Sequence, residues 1–288
     1  LTIASIILGV LLGGQLVGPH LSPWLLAIDL PGIETSIDTP PEAAIASLVL
    51  VYAIAAAINL RIPHTGVRMR PLPDRTLSLL PDFWRCNARL WRDKLGQISL
   101  ATTTLFWGVS GNMRYIVLAW AAAALHYSTT QAAGLVGVVA IGTAVGAVLA
   151  SMRVRLDRAI GVMPLGVLMG ALVVLMVFVD RLWLAVPFLI FMGALGGYIV
   201  VPMNALLQHR GHNLMGSGRS IAVQNFNEQA CILGLGALYS ASAGVGLSAF
   251  GAIALFGAVV IAFMLLIQRW HRHNLRRYPG KVERLLNI

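Results

Sequence analysis

Two ionisable residues lie inside long apolar stretches of this sequence, and they are the first candidates for chemistry. Arg114 falls within residues 98–122, and Glu228 falls within residues 220–242. A charge placed in hydrocarbon costs about 3 kcal/mol or more, and such residues mostly serve substrate or ion pathways. The planar guanidinium of arginine suits a phosphate, while a carboxylate suits an amine or a hydroxyl. The two residues therefore predict a binding site for a polar group within a membrane.

Polar residues recur at helical spacing before Arg114. Thr103, Trp107 and Ser110 precede it at intervals of three or four residues, which gives the predicted helix one polar and aromatic face. Such a face does not belong against lipid tails. The alternative is that Arg114, near the far end of its stretch, extends its side chain to the outer membrane interface.

Glu228 is also accompanied by polar residues. Gln224, Asn227 and Cys231 share its helical face, and the alternative role for this face is packing between helices. Asn204, which follows Pro202, is a further candidate for either role. The candidate substrate-binding residues are Arg114, Glu228, Asn227, Gln224, Asn204 and Trp107.

The sequence lacks the local signatures of several enzyme classes. It contains no Gly-rich Walker loop followed by lysine, no His-Glu-x-x-His motif and no Gly-x-Ser-x-Gly turn. Cys86 and Cys231 show no metal-ligand spacing. The basic residues that give the net charge of +10 lie beside apolar stretches rather than on a soluble module. We therefore expect no enzyme activity, no cofactor, no metal and no nucleic-acid partner.

The composition predicts an all-α, polytopic membrane protein. Hydrophobic residues make up 58% of the chain and charged residues 11%. A helix of about 20 apolar residues crosses the hydrocarbon core of a bilayer, and eight stretches approach or exceed that length. These stretches are 1–17, 43–60, 98–122, 131–152, 159–179, 183–207, 220–242 and 246–268.

The basic residues predict the orientation of these spans. Nineteen of the 21 lysines and arginines fall in alternate connections, at 61–96, 153–158, 210–219 and 269–284, and none falls in 18–42. The positive-inside rule makes the basic connections cytoplasmic and residues 18–42 periplasmic. Both ends of the chain are then expected on the cytoplasmic side of a bacterial inner membrane.

The spans divide unequally about a basic segment of 36 residues, which is long for a hairpin between packed helices. We expect residues 1–60 to hold the last two helices of one bundle, 61–96 to form a cytoplasmic linker, 97–268 to form a six-helix bundle, and 269–288 to form a cytoplasmic tail. Within the linker, Pro81–Arg92 is interpreted either as a short helix at the membrane surface or as an irregular segment.

Glycines with four-residue spacing recur in the apolar stretches. Small residues at this spacing let two helix backbones approach closely. Residues 193–202, which contain three glycines and Pro202, predict either a packing contact or a bend. The spaced pairs are Gly9 with Gly13, Gly142 with Gly146, and Gly166 with Gly170.

Three segments carry a resemblance to a known family. Residues 193–230 include Val-Pro-Met-Asn-Ala-Leu-Leu-Gln and Ala-Val-Gln-Asn, and residues 105–115 read Leu-Phe-Trp-Gly-Val-Ser-Gly-Asn-Met-Arg-Tyr. With Leu-Trp-Arg at 90–92, these motifs make the chain resemble the bacterial lysophospholipid transporter family of the major facilitator superfamily. The resemblance extends over most of the chain.

That resemblance implies a major facilitator-type bundle of twelve helices, of which the eight stretches would be helices five to twelve of an N-terminally truncated protein. It implies transfer of lysophospholipids with ethanolamine or glycerol headgroups from the outer to the inner leaflet, followed by reacylation by an acyltransferase of the same pathway. It also implies that Arg114 binds the lipid phosphate or pairs with an acidic residue on the first helix.

Two other interpretations of function are open at this point. The same fold could serve a permease for a drug or a small metabolite, because a fold does not fix its substrate. Alternatively, the chain could be a membrane protein without transport activity that recruits an enzyme through its basic linker and tail.

Overall fold

The computed structural model describes residues 39–62 and 79–279, together with Leu16. The predicted span 1–17, apart from Leu16, and most of the predicted loop 18–42 lie outside the described residues. All regular structure within the described part is helical. The chain divides into two compact units, Leu1–Asp74 and Arg75–Ile288.

The described part of the first unit is one helix, α1, at Pro40–Asn59. Proline suits the first helical turn because its fixed backbone angle is helical and its missing N–H group needs no partner there. The backbone N–H of Thr39 donates to Glu42 Oε2 at 3.0 Å, which defines the start of the helix. The predicted span 43–60 is therefore confirmed as a helix.

The second unit contains seven α-helices and two short 3₁₀-helices among its described residues. The α-helices are α2 (Leu79–Arg92), α3 (Gly96–Leu125), α4 (Thr129–Arg153), α5 (Met163–Leu175), α6 (Leu182–Met215), α7 (Ser217–Gly244) and α8 (Ala249–Arg277). The 3₁₀-helices, Leu156–Val162 and Met176–Phe178, flank α5, so the predicted span 159–179 is helical but not uniformly α-helical.

Within the described residues, five helical segments are long and apolar enough to cross a membrane. They are Glu42–Asn59, Gln131–Arg153, Leu156–Phe178, Leu182–Met215 and Ala249–Arg277. The predicted spans within α3 and α7 are long helices but fall outside this set. Those two helices carry the candidate charges Arg114 and Glu228.

One predicted boundary is wrong at the C-terminal end of α6. The sequence predicts that this span ends at residue 207 and that Arg210 lies in a connection, but α6 continues to Met215. Residues 208–215 contain no proline, and Gly211 lies within the helix where it packs against Ser220. Gly216, in contrast, has a φ of +83°, which glycine adopts without strain. The chain turns at Gly216 and begins α7 at the next residue.

The closest helix contact in this unit joins α4 to α6 through glycines. A Cβ atom added to Gly142 or Gly146 would overlap the backbone oxygen of Ile190 or Ala194, respectively. Gly193 and Gly197 of α6 face the backbone oxygens of Val139 and Thr143 in the same way. The predicted role in packing is confirmed for the pair on α4 and for residues 193–197.

This contact predicts different outcomes for two glycines of α4. We expect Gly146→Ala to lower the free energy of unfolding by about 1–3 kcal/mol, because neither backbone can move away from an added methyl group. Gly134→Ala should leave stability unchanged or raise it by about 0.5–1 kcal/mol, since a Cβ at Gly134 meets no atom within 4 Å. Thermal unfolding of both variants in one detergent measures the difference, and equal transition temperatures would contradict the contact.

Helix α2 lies in the predicted linker and packs on the ends of the other helices. Cys86 and Leu90 are buried in a small cluster with Leu100, Leu207 and Val223. The ring of Trp91 stacks on that of Trp270 in α8, with centroids 6.1 Å apart and planes 7° apart. The interpretation of residues 79–92 as irregular is therefore wrong, and the interpretation as a helix is confirmed.

Helices α3 and α7 run side by side in the same direction. A Cβ at Gly108 would meet Cys231 Sγ at 2.5 Å, and Asn112 Nδ2 donates to the backbone oxygen of Ile232 at 3.0 Å. A Cβ at Gly236 would meet Asn112 Oδ1 at 2.8 Å. Because residue numbers rise together along both helices, residue 108 of α3 is level with about residue 231 of α7.

Candidate functional site

Three of the predicted site residues, the half-buried Asn204 and the buried Gln224 and Glu228, form a cluster between α6 and α7. Gln224 Nε2 donates to Asn204 Oδ1 at 2.8 Å and to Glu228 Oε1 at 2.8 Å. Gln224 is 7% exposed and Glu228 is 8% exposed. Gln224 and Glu228 are one helical turn apart on α7, so both side chains can point towards the same residue of α6.

The carboxylate of this cluster is not neutralised by a cation of the described residues. Its hydrogen bond comes from the neutral amide of Gln224, and no lysine or arginine in the described ranges lies in an ion pair with it. A carboxylate in a membrane helix without a positive partner favours a proton or a bound positive group. The cluster is therefore chemically suited to an amine or a hydroxyl.

Two unsatisfied donors lie on α3 at a similar level. Thr104 and Trp107 precede Gly108 by four and one residues, and Glu228 precedes Cys231 by three, so all lie within about one turn along the paired helices. The hydroxyl of Thr104 and the indole N–H of Trp107 are buried without a hydrogen-bond partner. A buried polar group without a partner costs about 1–3 kcal/mol, so these groups suit a polar ligand.

Sequence periodicity selected a different threonine on this helix. Thr103 is fully buried, and its hydroxyl donates to the backbone oxygens of Ser99 at 3.0 Å and Leu100 at 3.1 Å. Its hydrogen-bonding capacity is therefore used inside its own helix. Thr104 was missed because the helical face predicted from Trp107 and Arg114 includes Thr103, the neighbouring residue, instead.

Arg114 lies further along α3 and is exposed. Its Nη2 atom donates to the hydroxyl of Tyr115 at 3.1 Å, and its guanidinium carbon lies 4.9 Å from the centre of the Tyr115 ring. No carboxylate among the described residues pairs with it. The guanidinium is thus free to bind an anion on its remaining donors.

The structure does not bring Arg114 and Glu228 together. Arg114 lies six residues beyond Gly108, and Glu228 lies three residues before Cys231, so nine residues of helical rise separate them. At 1.5 Å per residue this is roughly 13 Å along the helix axes. The backbone positions of the two charges therefore lie more than two helical turns apart along the paired helices.

Asn227 is turned away from the buried cluster. Its Nδ2 atom donates to Asn87 Oδ1 at 2.9 Å and to the backbone oxygen of Val223 at 2.8 Å, and its Oδ1 accepts from Trp91 Nε1 at 3.2 Å. These contacts join α7 to helix α2. In this conformation Asn227 hydrogen-bonds to α2 and is not part of the hydrogen-bonded cluster of Asn204, Gln224 and Glu228.

An ion pair that sequence reasoning missed joins the linker to α6. Arg210 Nε donates to Asp93 Oδ1 at 3.1 Å, and Arg210 Nη2 donates to Asp93 Oδ2 at 2.7 Å. The two side chains are 11% and 9% exposed, respectively. Asp93 Oδ1 also accepts from the backbone N–H of Gly96 at 2.7 Å and so caps the start of α3.

Comparison with known proteins identifies relatives of this chain. It is 36% identical over 240 residues to the "Lysophospholipid transporter LplT" of Yersinia pestis (strain Pestoides F), and equally to that of Yersinia pseudotuberculosis serotype O:3 (strain YPIII). The match covers 83% of this chain and 54% of each relative, so the chain spans about half the length of the curated relatives it matches. No family model and no solved structure matches the chain.

The sequence relationship agrees with the architecture. The described residues form an all-helical, multi-pass membrane protein, and both the motif around Arg114 and the motif around Gln224 lie on helices that contact each other. The relatives are named as transporters rather than as enzymes. Over about half of their length, the chain is therefore a homologue of proteins named lysophospholipid transporter LplT.

Proposed function

We propose that this protein moves lysophospholipids with ethanolamine or glycerol headgroups from the outer to the inner leaflet of a bacterial inner membrane. The observation that carries the proposal is the Asn204–Gln224–Glu228 cluster, in which Gln224 and the carboxylate of Glu228 are buried inside a helical bundle and Glu228 has no basic partner among the described residues. The names of the relatives support the lipid as substrate over a drug or a small metabolite. An acyltransferase of the same pathway would then restore the second acyl chain.

The separation of the two charges suggests that they act in succession. A lysophospholipid keeps one acyl chain in hydrocarbon and must shelter a phosphate and its attached headgroup. The exposed Arg114 would bind the phosphate first, because guanidinium matches two phosphate oxygens. Glu228, with Gln224 and Asn204, would receive the amine or the glycerol hydroxyls at a deeper stage of transfer.

We also propose the arrangement of these helices in the whole transporter. Helices α3 to α8, with the 3₁₀-helices that extend α5, would form the second six-helix bundle of a twelve-helix major facilitator protein. Residues 1–60 would hold the last two helices of the first bundle, and α2 would lie in the cytoplasmic linker at 61–96. Transport by alternating access would then move one bundle against the other.

The proposed orientation predicts a labelling pattern in intact cells. Asp180 and Arg158 are both exposed, Asp180 in the connection before α6 and Arg158 in the short 3₁₀-helix Leu156–Val162 that follows α4. We expect a membrane-impermeant thiol reagent to modify Asp180→Cys and to spare Arg158→Cys until the cells are opened, because the positive-inside rule places residues 153–158 in the cytoplasm. Labelling of Arg158→Cys but not Asp180→Cys in intact cells would reverse the orientation.

The Glu228 cluster predicts a change in headgroup preference. In vesicles containing the protein at its full natural length, we expect Glu228→Gln to slow transfer of lysophosphatidylethanolamine by about tenfold or more, because a charge-assisted hydrogen bond contributes roughly 1.5–3 kcal/mol. Transfer of lysophosphatidylglycerol should fall less, since its hydroxyls can bond to an amide. The fold should survive, because the new amide oxygen can still accept from Gln224.

Asp180→Asn is the matched control for Glu228→Gln. It removes a carboxylate that is exposed and lies outside the cluster, and it should leave the transfer of both lipids unchanged. Labelled lysolipid is followed between leaflets at equal protein abundance. An equal fall for both lipids in Glu228→Gln would remove the assigned amine contact, and absence of transfer by the unmodified protein would refute the proposed function itself.

A further inference from the structure

One face of α2 carries a row of exposed arginines that the proposed transport does not use. Arg85, Arg89 and Arg92 follow one another at intervals of four and three residues, so they share a face of the helix. Phe83 and Leu90, on the other side of the helix, belong to the contact with the bundle. The arginine row therefore lies on the opposite side of α2 from this cluster.

Two of these arginines are available for a ligand. Arg89 Nη1 donates to the backbone oxygen of Leu214 at 3.2 Å, whereas Arg85 and Arg92 have no polar partner among the described residues. The acidic residue of this helix does not neutralise them, because Asp82 Oδ2 is bound to Arg219 Nη2 at 2.7 Å. The outer face of α2 is thus positively charged.

An exposed apolar strip runs beside the arginine row. Leu80 and Trp84 are each 53% exposed and lie between the buried face and the arginine face. The ring of Trp84 meets Phe226 of α7 edge-on, with centroids 5.6 Å apart, and Phe226 is itself 44% exposed.

We infer that α2 docks on anionic diacyl phospholipids at the surface of the bilayer. Arg85 and Arg92 bind lipid phosphates, while Leu80 and Trp84 enter the headgroup layer beside the lipid-facing side of α7. Aromatic rings and arginines favour this zone, where one end of the side chain contacts hydrocarbon and the other contacts water or phosphate. The charge of the arginine face complements an anionic leaflet, which makes membrane lipid its occupant.

Lipid selectivity at α2 tests this inference without measuring transport. A fluorophore is attached to Ala88→Cys, with Cys86 and Cys231 replaced by alanine, and the full natural-length protein is placed in phosphatidylcholine bilayers. Quenching by brominated phosphatidylglycerol is compared with quenching by brominated phosphatidylcholine. We expect a preference for phosphatidylglycerol that Arg85→Gln/Arg92→Gln reduces by roughly 25-fold, since each basic residue near an anionic surface contributes about a fivefold factor.

Two further variants separate docking from general surface charge and from misfolding. Arg153→Gln/Arg158→Gln removes two exposed arginines from another connection and should leave the preference at α2 unchanged. Arg85→Lys/Arg92→Lys keeps the charge and should retain most of the preference. An equal loss in the Arg153/Arg158 control, or no loss in Arg85→Gln/Arg92→Gln, would overturn the inference. If brominated lysophosphatidylglycerol quenched the fluorophore and brominated phosphatidylglycerol did not, the inference would also be overturned, because this face would then bind the transported lipid.

Discussion

Replacement of Arg114 by alanine should reduce the rate of lysophospholipid transfer by about ten- to hundredfold. Hydrogen bonds to a charged group contribute roughly 1.5–3 kcal/mol, and loss of that contribution to the transfer step gives a change of this size. Arg114→Lys should restore little of the rate, because a point ammonium cannot reproduce the two parallel hydrogen bonds of guanidinium. Both headgroup types should be affected, since both carry the phosphate.

Arg181 is the matched control for Arg114. It lies at the start of α6, is exposed, and is the other of the two basic residues outside the predicted cytoplasmic connections. Arg181→Ala should leave the rate within about twofold, as expected for an exposed charge that interacts weakly. The measurement is transfer of labelled lysolipid at equal membrane abundance. Full activity of Arg114→Lys and Arg114→Ala would mean that this residue serves the membrane interface alone.

Removal of the Asp93 carboxylate should produce the largest loss of stability. Asp93→Ala leaves the guanidinium of Arg210 buried without its partner and also removes the cap of α3, so we expect a loss of about 3–5 kcal/mol in the free energy of unfolding. Arg210→Met added to Asp93→Ala should recover part of this loss, because a buried ion pair replaced by apolar side chains commonly costs little. Thermal unfolding in one detergent compares the variants.

The chain contains a second ion pair of similar geometry that serves as a control. Arg219 Nη2 and Asp82 Oδ2 are also 2.7 Å apart, but each side chain is 41% exposed. Asp82→Ala should therefore cost less than about 1 kcal/mol, because water screens an exposed pair. If Asp93→Ala and Asp82→Ala lower the transition temperature equally, burial does not set the contribution of the Asp93–Arg210 pair.

Much of the secondary structure follows from the sequence alone. A stretch of about 20 apolar residues must satisfy its backbone hydrogen bonds internally, which makes a helix the available structure in a membrane. The described parts of the predicted spans are accordingly helical. For Pro81–Arg92, by contrast, the sequence leaves a helix and an irregular segment equally open, and the burial of Cys86 and Leu90 decides for the helix.

The sequence also identified the glycines at the contact between α4 and α6. Glycine has no Cβ atom, so glycines at four-residue spacing let two helix backbones approach closely. It could not fix where α6 ends, since residues 208–215 are polar enough for a loop and also compatible with a helix. The left-handed conformation at Gly216 decides that boundary.

The pairing of polar side chains was decided by the tertiary structure. Helical periodicity groups Gln224, Asn227 and Glu228 on one face of α7. In the structure, Gln224 hydrogen-bonds to Asn204 and Glu228, whereas Asn227 hydrogen-bonds to Asn87 of α2. Asp93 and Arg210 are 117 residues apart, and no spacing in the chain relates them. A sequence specifies which residues share a face of a helix, whereas packing determines which other helix that face meets.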